Sequence, residues 1–233
     1  MLRPPEPVPA RFWTRYAAWS LDAACLLPGV WLLGAGPLRA ALHQAGSAVR
    51  ALSAVMGRLL EAALAQGQAP TALALTWVSD PQLLAAIQQL ESALFTLLLL
   101  PPALYALLAG VWTVAFEASP WQATPGKRAL GLRVASTSGQ PLTPGQALKR
   151  FLAAGLSWLS LNLGHAMAAF APYLALHDRI SQTRVLATAP ALPGWARLWL
   201  GLQLAGGLLA ALWLYQWLQT AMQAALDARL GGF

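Results

Sequence analysis

Asp22 lies inside a run apolar enough to enter a bilayer: from Arg15 to Gly36 the chain reads RYAAWSLDAACLLPGVWLLGAG. A carboxyl at that depth is costly unless it finds a polar partner or a wet cavity. Arg15 stands seven residues earlier, two helical turns away on the same face. Two kinds of chemistry suit such a carboxylate. It can bind a proton or a cation within the membrane, or it can be half of a buried ion pair or hydrogen-bond cluster that fixes helix packing. Its candidate partners are Arg15, Asn162 and His165 in a later apolar segment, and Arg179. A second acid, Asp178, sits in LHDRISQT. There it can cap the turn 179–182 or accept from Lys127 and Arg128, with Thr183 and Arg184 in the same polar lock. Gly126 and Gly131 are backbone-permissive positions beside that lock.

Other chemistries find no support. No nucleophile stands beside a base and an orienting acid, so the expectation is a protein without enzymatic activity. His43, His165 and His177 are far apart and lack zinc spacing, so neither a metal nor another cofactor is expected. Thr124–Lys127 looks like part of a phosphate loop, but Gly126-Lys127 is followed by Arg128 and the required spacing is missing. The lone cysteine, Cys25, excludes an intramolecular disulfide.

The elements that must hold these residues follow from composition. The chain is 58% hydrophobic and only 10% charged, where soluble domains carry roughly 25% charged residues. The 15 basic residues fall in short stretches between apolar runs, which suits anionic lipid and topology control and argues against nucleic acid. Four runs approach the roughly 20 residues that a bilayer span requires: Tyr16–Gly36, about Ala93–Phe116, Phe151–Leu176 and Trp195–Leu218. Asp22 interrupts what would be a leader's apolar core and no A-x-A site follows closely, so the first helix is read as uncleaved. Pro28, Pro101, Pro102 and Pro172 are either tolerated kinks or breaks that line a polar site.

Charge asymmetry orients the spans. Arg3, Arg11 and Arg15 lie in the N-terminal arm, and Lys127, Arg128, Arg133, Lys149 and Arg150 lie in 117–150 against the single acid Glu117. Both stretches are expected in the cytoplasm, with two crossings between them. The stretch 177–197 is also basic, which favours a re-entrant hairpin over a full crossing for 151–176. The connection 37–92 is then extracytoplasmic. Within it Leu38, Leu42, Ala45, Val49, Leu52, Met56, Leu59 and Ala63 form an apolar stripe, which predicts one amphipathic helix ending near Gly67. That helix can lie on the membrane or on its own bundle, or contact a second subunit or another protein. In 201–211 small residues four apart let another helix approach closely, by default within the chain, alternatively in self-association. In the loop, Ser119-Pro-Trp-Gln122 and Thr143-Pro-Gly-Gln146 match capping boxes, and 132–142 reads as a short hairpin or turn.

Three blocks, RFWTRYAAWSLD, TPGKRALGLRV…SGQPLTPGQALKR and HDRISQTRV, occur in order over most of 11–35 and 93–188. Together they resemble the RDD family of bacterial membrane proteins. That family is named for one arginine and two aspartates, which map here onto Arg15, Asp22 and Asp178. The resemblance implies an all-α, polytopic transmembrane helix bundle in the bacterial inner membrane. The expectation is one RDD-like membrane domain over 1–233, its N-terminus cytoplasmic, with the extracytoplasmic insert 37–92, the cytoplasmic loop 117–150 and an added C-terminal span, 195–218. The insert and the added span depart from the family's compact pattern. Some members have been linked to cation/proton antiport. The functional expectations are therefore a small exchanger of monovalent cations for protons through Asp22, or a non-catalytic membrane scaffold. The scaffold would bind a second copy or another membrane protein through 38–66 or 201–211.

Overall fold

The computed structural model describes residues 8–67 and 69–230. Arg3 of the basic arm lies outside them. The fold is helical, and among the described residues three helices are long and apolar enough to cross a membrane: α1 (Phe12–Ala65), α3 (Pro81–Glu117) and α8 (Gly194–Leu230). A small sheet, which the sequence reading did not anticipate, accompanies them. The chain divides into two units, one running Ala23–Trp112 and the other holding the residues up to Asp22 and from Thr113 on.

In the Ala23–Trp112 unit, the first span and the amphipathic stretch are not separate helices. α1 runs through both without a break, past Pro28 and Pro37, and α3 likewise runs through Pro101 and Pro102. The prolines are therefore tolerated within continuous helices. A short helix, α2 (Pro70–Ser79), connects them. α3 starts where Asp80 accepts from the amides of Gln82 (2.9 Å) and Leu83 (2.8 Å), with Pro81 in the first helical position. The buried face of α1 also differs from the expected stripe. Ala41, Ala48 and Val55 are buried together with Ala63 of the expected stripe, whereas Leu42, Val49 and Met56 point outward. On α3, Leu83, Ala86 and Ala93 are buried at similar spacing. Small residues let two helices approach closely, and alanines dominate this seam, with Val55 and Leu83 the larger side chains buried beside them. Gln44 Nε2 donates to the carbonyl of Gln89 at 3.2 Å, tying the amphipathic stretch to its own α3.

In the other unit, strands β1 (Val8–Pro9), β2 (Leu132–Ser136) and β3 (Thr183–Ala187) form an antiparallel sheet in the order β1-β3-β2. β2 was expected to turn back on 141–142. It pairs instead with β3, aligning Val134 with Val185 and Arg133 with Leu186. Both strands keep their valines buried and expose their arginines, Arg133 and Arg184. One sheet cannot straddle a bilayer, so the N-terminal arm, the 132–136 loop and 183–187 share one side. Around the sheet lie α4 (Pro125–Ala129), α5 (Pro144–Leu159), α6 (Leu163–Ala166) and α7 (Leu176–Ser181). The core joins Ala10, Ala17 and Ala18 to Val134, Val185 and Ala196.

Of the two capping boxes, Thr143–Gln146 forms and opens α5. Ser119–Gln122 does not, because α3 continues to Glu117 and a turn with Gln122 at φ 51° follows. The apolar segment 151–176 is not one membrane helix. It breaks after Leu159, reverses through Leu161 and Asn162, and continues as α6 and one 3-10 turn. In α8, a Cβ at Gly201, Gly206 or Gly207 would meet nothing within 4 Å, so the default of packing inside the chain is not realised there among the described residues.

Candidate functional site

Asp22 is buried, and its neighbours come from the loop after α3. Its Oδ2 accepts from the Thr124 hydroxyl at 2.5 Å and its Oδ1 from the Gly126 amide at 2.8 Å. Thr124 and Pro125 begin α4, whose first amides need an acceptor. Thr124 gives its own hydroxyl to Asp22 and makes no cap of its own, so the carboxylate of α1 caps α4 from a distance. Gly126 makes the approach possible: a Cβ there would overlap the carbonyl oxygen of Ala18 and lie 2.9 Å from the Asp22 carboxyl carbon. Hydrogen bonds to a charged group contribute about 1.5–3 kcal/mol each. The pair therefore fastens the loop to the root of the first membrane helix.

Arg15 is turned to other partners than Asp22. Its Nη1 meets Asp178 Oδ2 at 2.5 Å, its Nη2 donates to the Tyr173 carbonyl at 2.7 Å and its Nε to the Ala10 carbonyl at 2.9 Å. Asp178 also accepts from Arg150 and, at 2.9 Å, from the amide of Ala175 at the start of α7. Arg150 donates to the Thr183 hydroxyl at 2.8 Å and sets its Nε 3.2 Å from Glu117 Oε2. Glu117 completes the chain with Lys127, 2.6 Å from its Oε1. Charges thus alternate along Arg15, Asp178, Arg150, Glu117 and Lys127, one residue from each of α1, α7, α5, α3 and α4. Glu117, Asp178 and Arg150 are buried. Such burial is tolerable because each carboxylate faces two cations.

The field of this network shifts its members. Burial alone would raise the Asp178 carboxyl, but Arg150 and Arg15 hold it below the usual carboxylate range. His177, on the same short helix, is pushed well below the ordinary imidazole range by burial and then by Arg150, so it is neutral. The rings of His165 and His177 lie 5.1 Å apart, centroid to centroid. Among the described residues Ser157 Oγ and the Nδ1 atoms of both histidines are buried without hydrogen-bond partners.

Several expected groupings do not form. Arg15 belongs with Asp178, while Asp22 is held by Thr124 and Gly126. Asn162 is exposed with φ 66°, at the point where the chain reverses, and His165 pairs with His177. Lys127 reaches Glu117 rather than Asp178, and Arg128 lies 4.2 Å over the Trp121 ring. Arg179 is exposed, while Thr183 joins the network through Arg150. Two central residues, Glu117 and Arg150, were not singled out from sequence. Glu117 had a signal: it is the lone acid of a basic stretch, at the end of an apolar run. No group of three or more His, Cys, Asp or Glu side chains able to hold a metal occurs among the described residues.

The three residues expected to give the family its name are thus the anchors of this module. The profile of the RDD family matches residues 9–182, and the chain belongs to that family. It is also similar to YxaI of Bacillus subtilis (strain 168), described as uncharacterised, with 37% identity over 92 residues. That match covers 39% of this chain and 61% of the Bacillus protein. No solved structure matches the chain.

Proposed function

We propose that this RDD protein is a non-catalytic membrane scaffold. Its sheet-bearing module is fastened to the roots of its membrane helices and offered to partner proteins on the cytoplasmic side. The observation that carries the reading is the use of the family's charges. Asp22 caps α4 at the Gly126 amide with one oxygen and holds the Thr124 hydroxyl with the other, and Arg15 and Asp178 close a chain of alternating charges drawn from five helices. Each of these contacts holds one segment against another. The cytoplasmic assignment rests on the basic residues, Arg11, Lys127, Arg128, Arg133, Lys149 and Arg184, carried by segments that share the sheet's side.

A second reading, exchange of monovalent cations for protons through Asp22, is favoured by the burial of that carboxylate beside a hydroxyl. One experiment separates the two. Purified protein is reconstituted in vesicles that enclose a pH dye, and Na+, K+ or Li+ gradients are applied. The scaffold reading expects no cation-dependent proton flux from folded wild-type protein. Flux that vanishes in folded Asp22→Asn would establish exchange instead.

A further inference from the structure

The chain leaves the charge network at Arg150 and returns to it at Asp178, and these two residues are in direct ion pairing. From Phe151 to Leu176, between them, there is no Asp, Glu, Lys or Arg. A segment whose two ends are tied together cannot have them on opposite faces of a bilayer. The arm from Phe151 to Leu159 is also short, about 12 Å long where a hydrocarbon core measures about 30 Å.

The outward surface of this segment is unsuited to water. On α5, Ala147, Arg150, Ala153 and Ser157 are buried and α7 packs against the helix, while Leu148, Leu152 and Leu156 line the opposite face at four-residue spacing. At the reversal, Leu159 is 84% exposed, Leu161 89% and Leu163 69%. Lys149 and Arg179, both exposed, flank the base of the segment, where cations meet anionic headgroups. The same unit contains the roots of α1 and α8, joined by the bond from Trp199 Nε1 to Ser20 Oγ at 3.0 Å. Lipid is therefore the nearest apolar solvent.

From this we infer that residues 151–176 form a monotopic hairpin whose leucine tip lies among the acyl chains of the leaflet on the sheet's side, entering and leaving by the same face. Interfacial helices with one apolar face bind membranes in this way.

The test uses the full chain in a Cys25→Ala background, with single cysteines at Lys149, Leu161 and Arg179. Lys149→Cys and Arg179→Cys should react with an impermeant maleimide in the same preparation, both in everted vesicles or both in spheroplasts, and both escape it in the other. Leu161→Cys should escape the reagent from both sides. A fluorophore attached to Leu161→Cys in detergent, before reconstitution, should lose intensity to spin-labelled acyl chains. Leu163→Cys replaces Leu161→Cys if the latter does not accumulate. Labelling of Lys149→Cys and Arg179→Cys from opposite sides would overturn the hairpin. Ready reaction at the tip would put it in water. Protection without quenching by lipid labels would mean that protein covers it, which also refutes the inference.

Discussion

Two identical triplets, Thr124-Pro125-Gly126 and Thr143-Pro144-Gly145, open α4 and α5, yet substitution of their glycines should have opposite consequences. In Gly126→Ala the new Cβ overlaps the Ala18 carbonyl and crowds the Asp22 carboxyl, so α4 must move off α1. Overpacking of a tight site costs about 1–3 kcal/mol, and a weakened charge-assisted hydrogen bond adds about 1.5–3 kcal/mol. A loss of about 3 kcal/mol or more follows from these two effects. In Gly145→Ala the Cβ meets nothing within 4 Å, and Thr143 caps the helix with its own side chain. Alanine at a helical position should then stabilise by about 0.5–1 kcal/mol. Asp22→Asn should lie between them, because the amide oxygen still accepts from one donor. The assay is the denaturant midpoint of detergent-solubilised protein, followed by tryptophan fluorescence, with amide exchange at Lys127 and Arg128 as the local readout. Equal stability of the two alanine variants, or greater damage from Gly145→Ala, would refute the capping argument.

Stability should fall with acidity in two stages. His177 has its folded pKa below the unfolded value, so the unfolded chain takes up the proton first and stability drops as pH falls below about 6.5. Asp178 is likewise depressed, and its contribution is lost as pH falls below about 4 towards its folded value. His177→Gln should flatten the first stage alone in unfolding midpoints measured across pH; an unchanged profile would remove His177 as its cause. Arg150→Met leaves Asp178 with one cation fewer and Glu117 with Lys127 alone, so it should cost about 3–5 kcal/mol. In a double-mutant cycle Asp178→Asn should add much less to Arg150→Met than it costs alone, and simple additivity would show that the two residues do not act together.

Much of this architecture is local and can be read along the chain. Long apolar runs mark the membrane helices because lipid accepts little else, and Thr143 with Pro144 and Gln146 marks a helix start because every atom of that cap lies within four residues. The RDD blocks identify Arg15, Asp22 and Asp178 as a set. Which charge meets which is not local. Arg15 and Asp22 share a helical face, yet the Asp178 carboxylate that pairs with Arg15 and the Thr124 and Gly126 donors that hold Asp22 lie over a hundred residues away. β2 and β3 pair across about fifty residues, with α5 and α7 between them pinned together by Arg150 and Asp178. The α1 seam makes the same point in apolar terms. Periodicity locates a stripe to within one residue, but close approach to α3 selects Ala41 and Ala48 over the leucine and valine beside them. Pairing energies depend on distances between elements, and those distances exist only once the chain has folded.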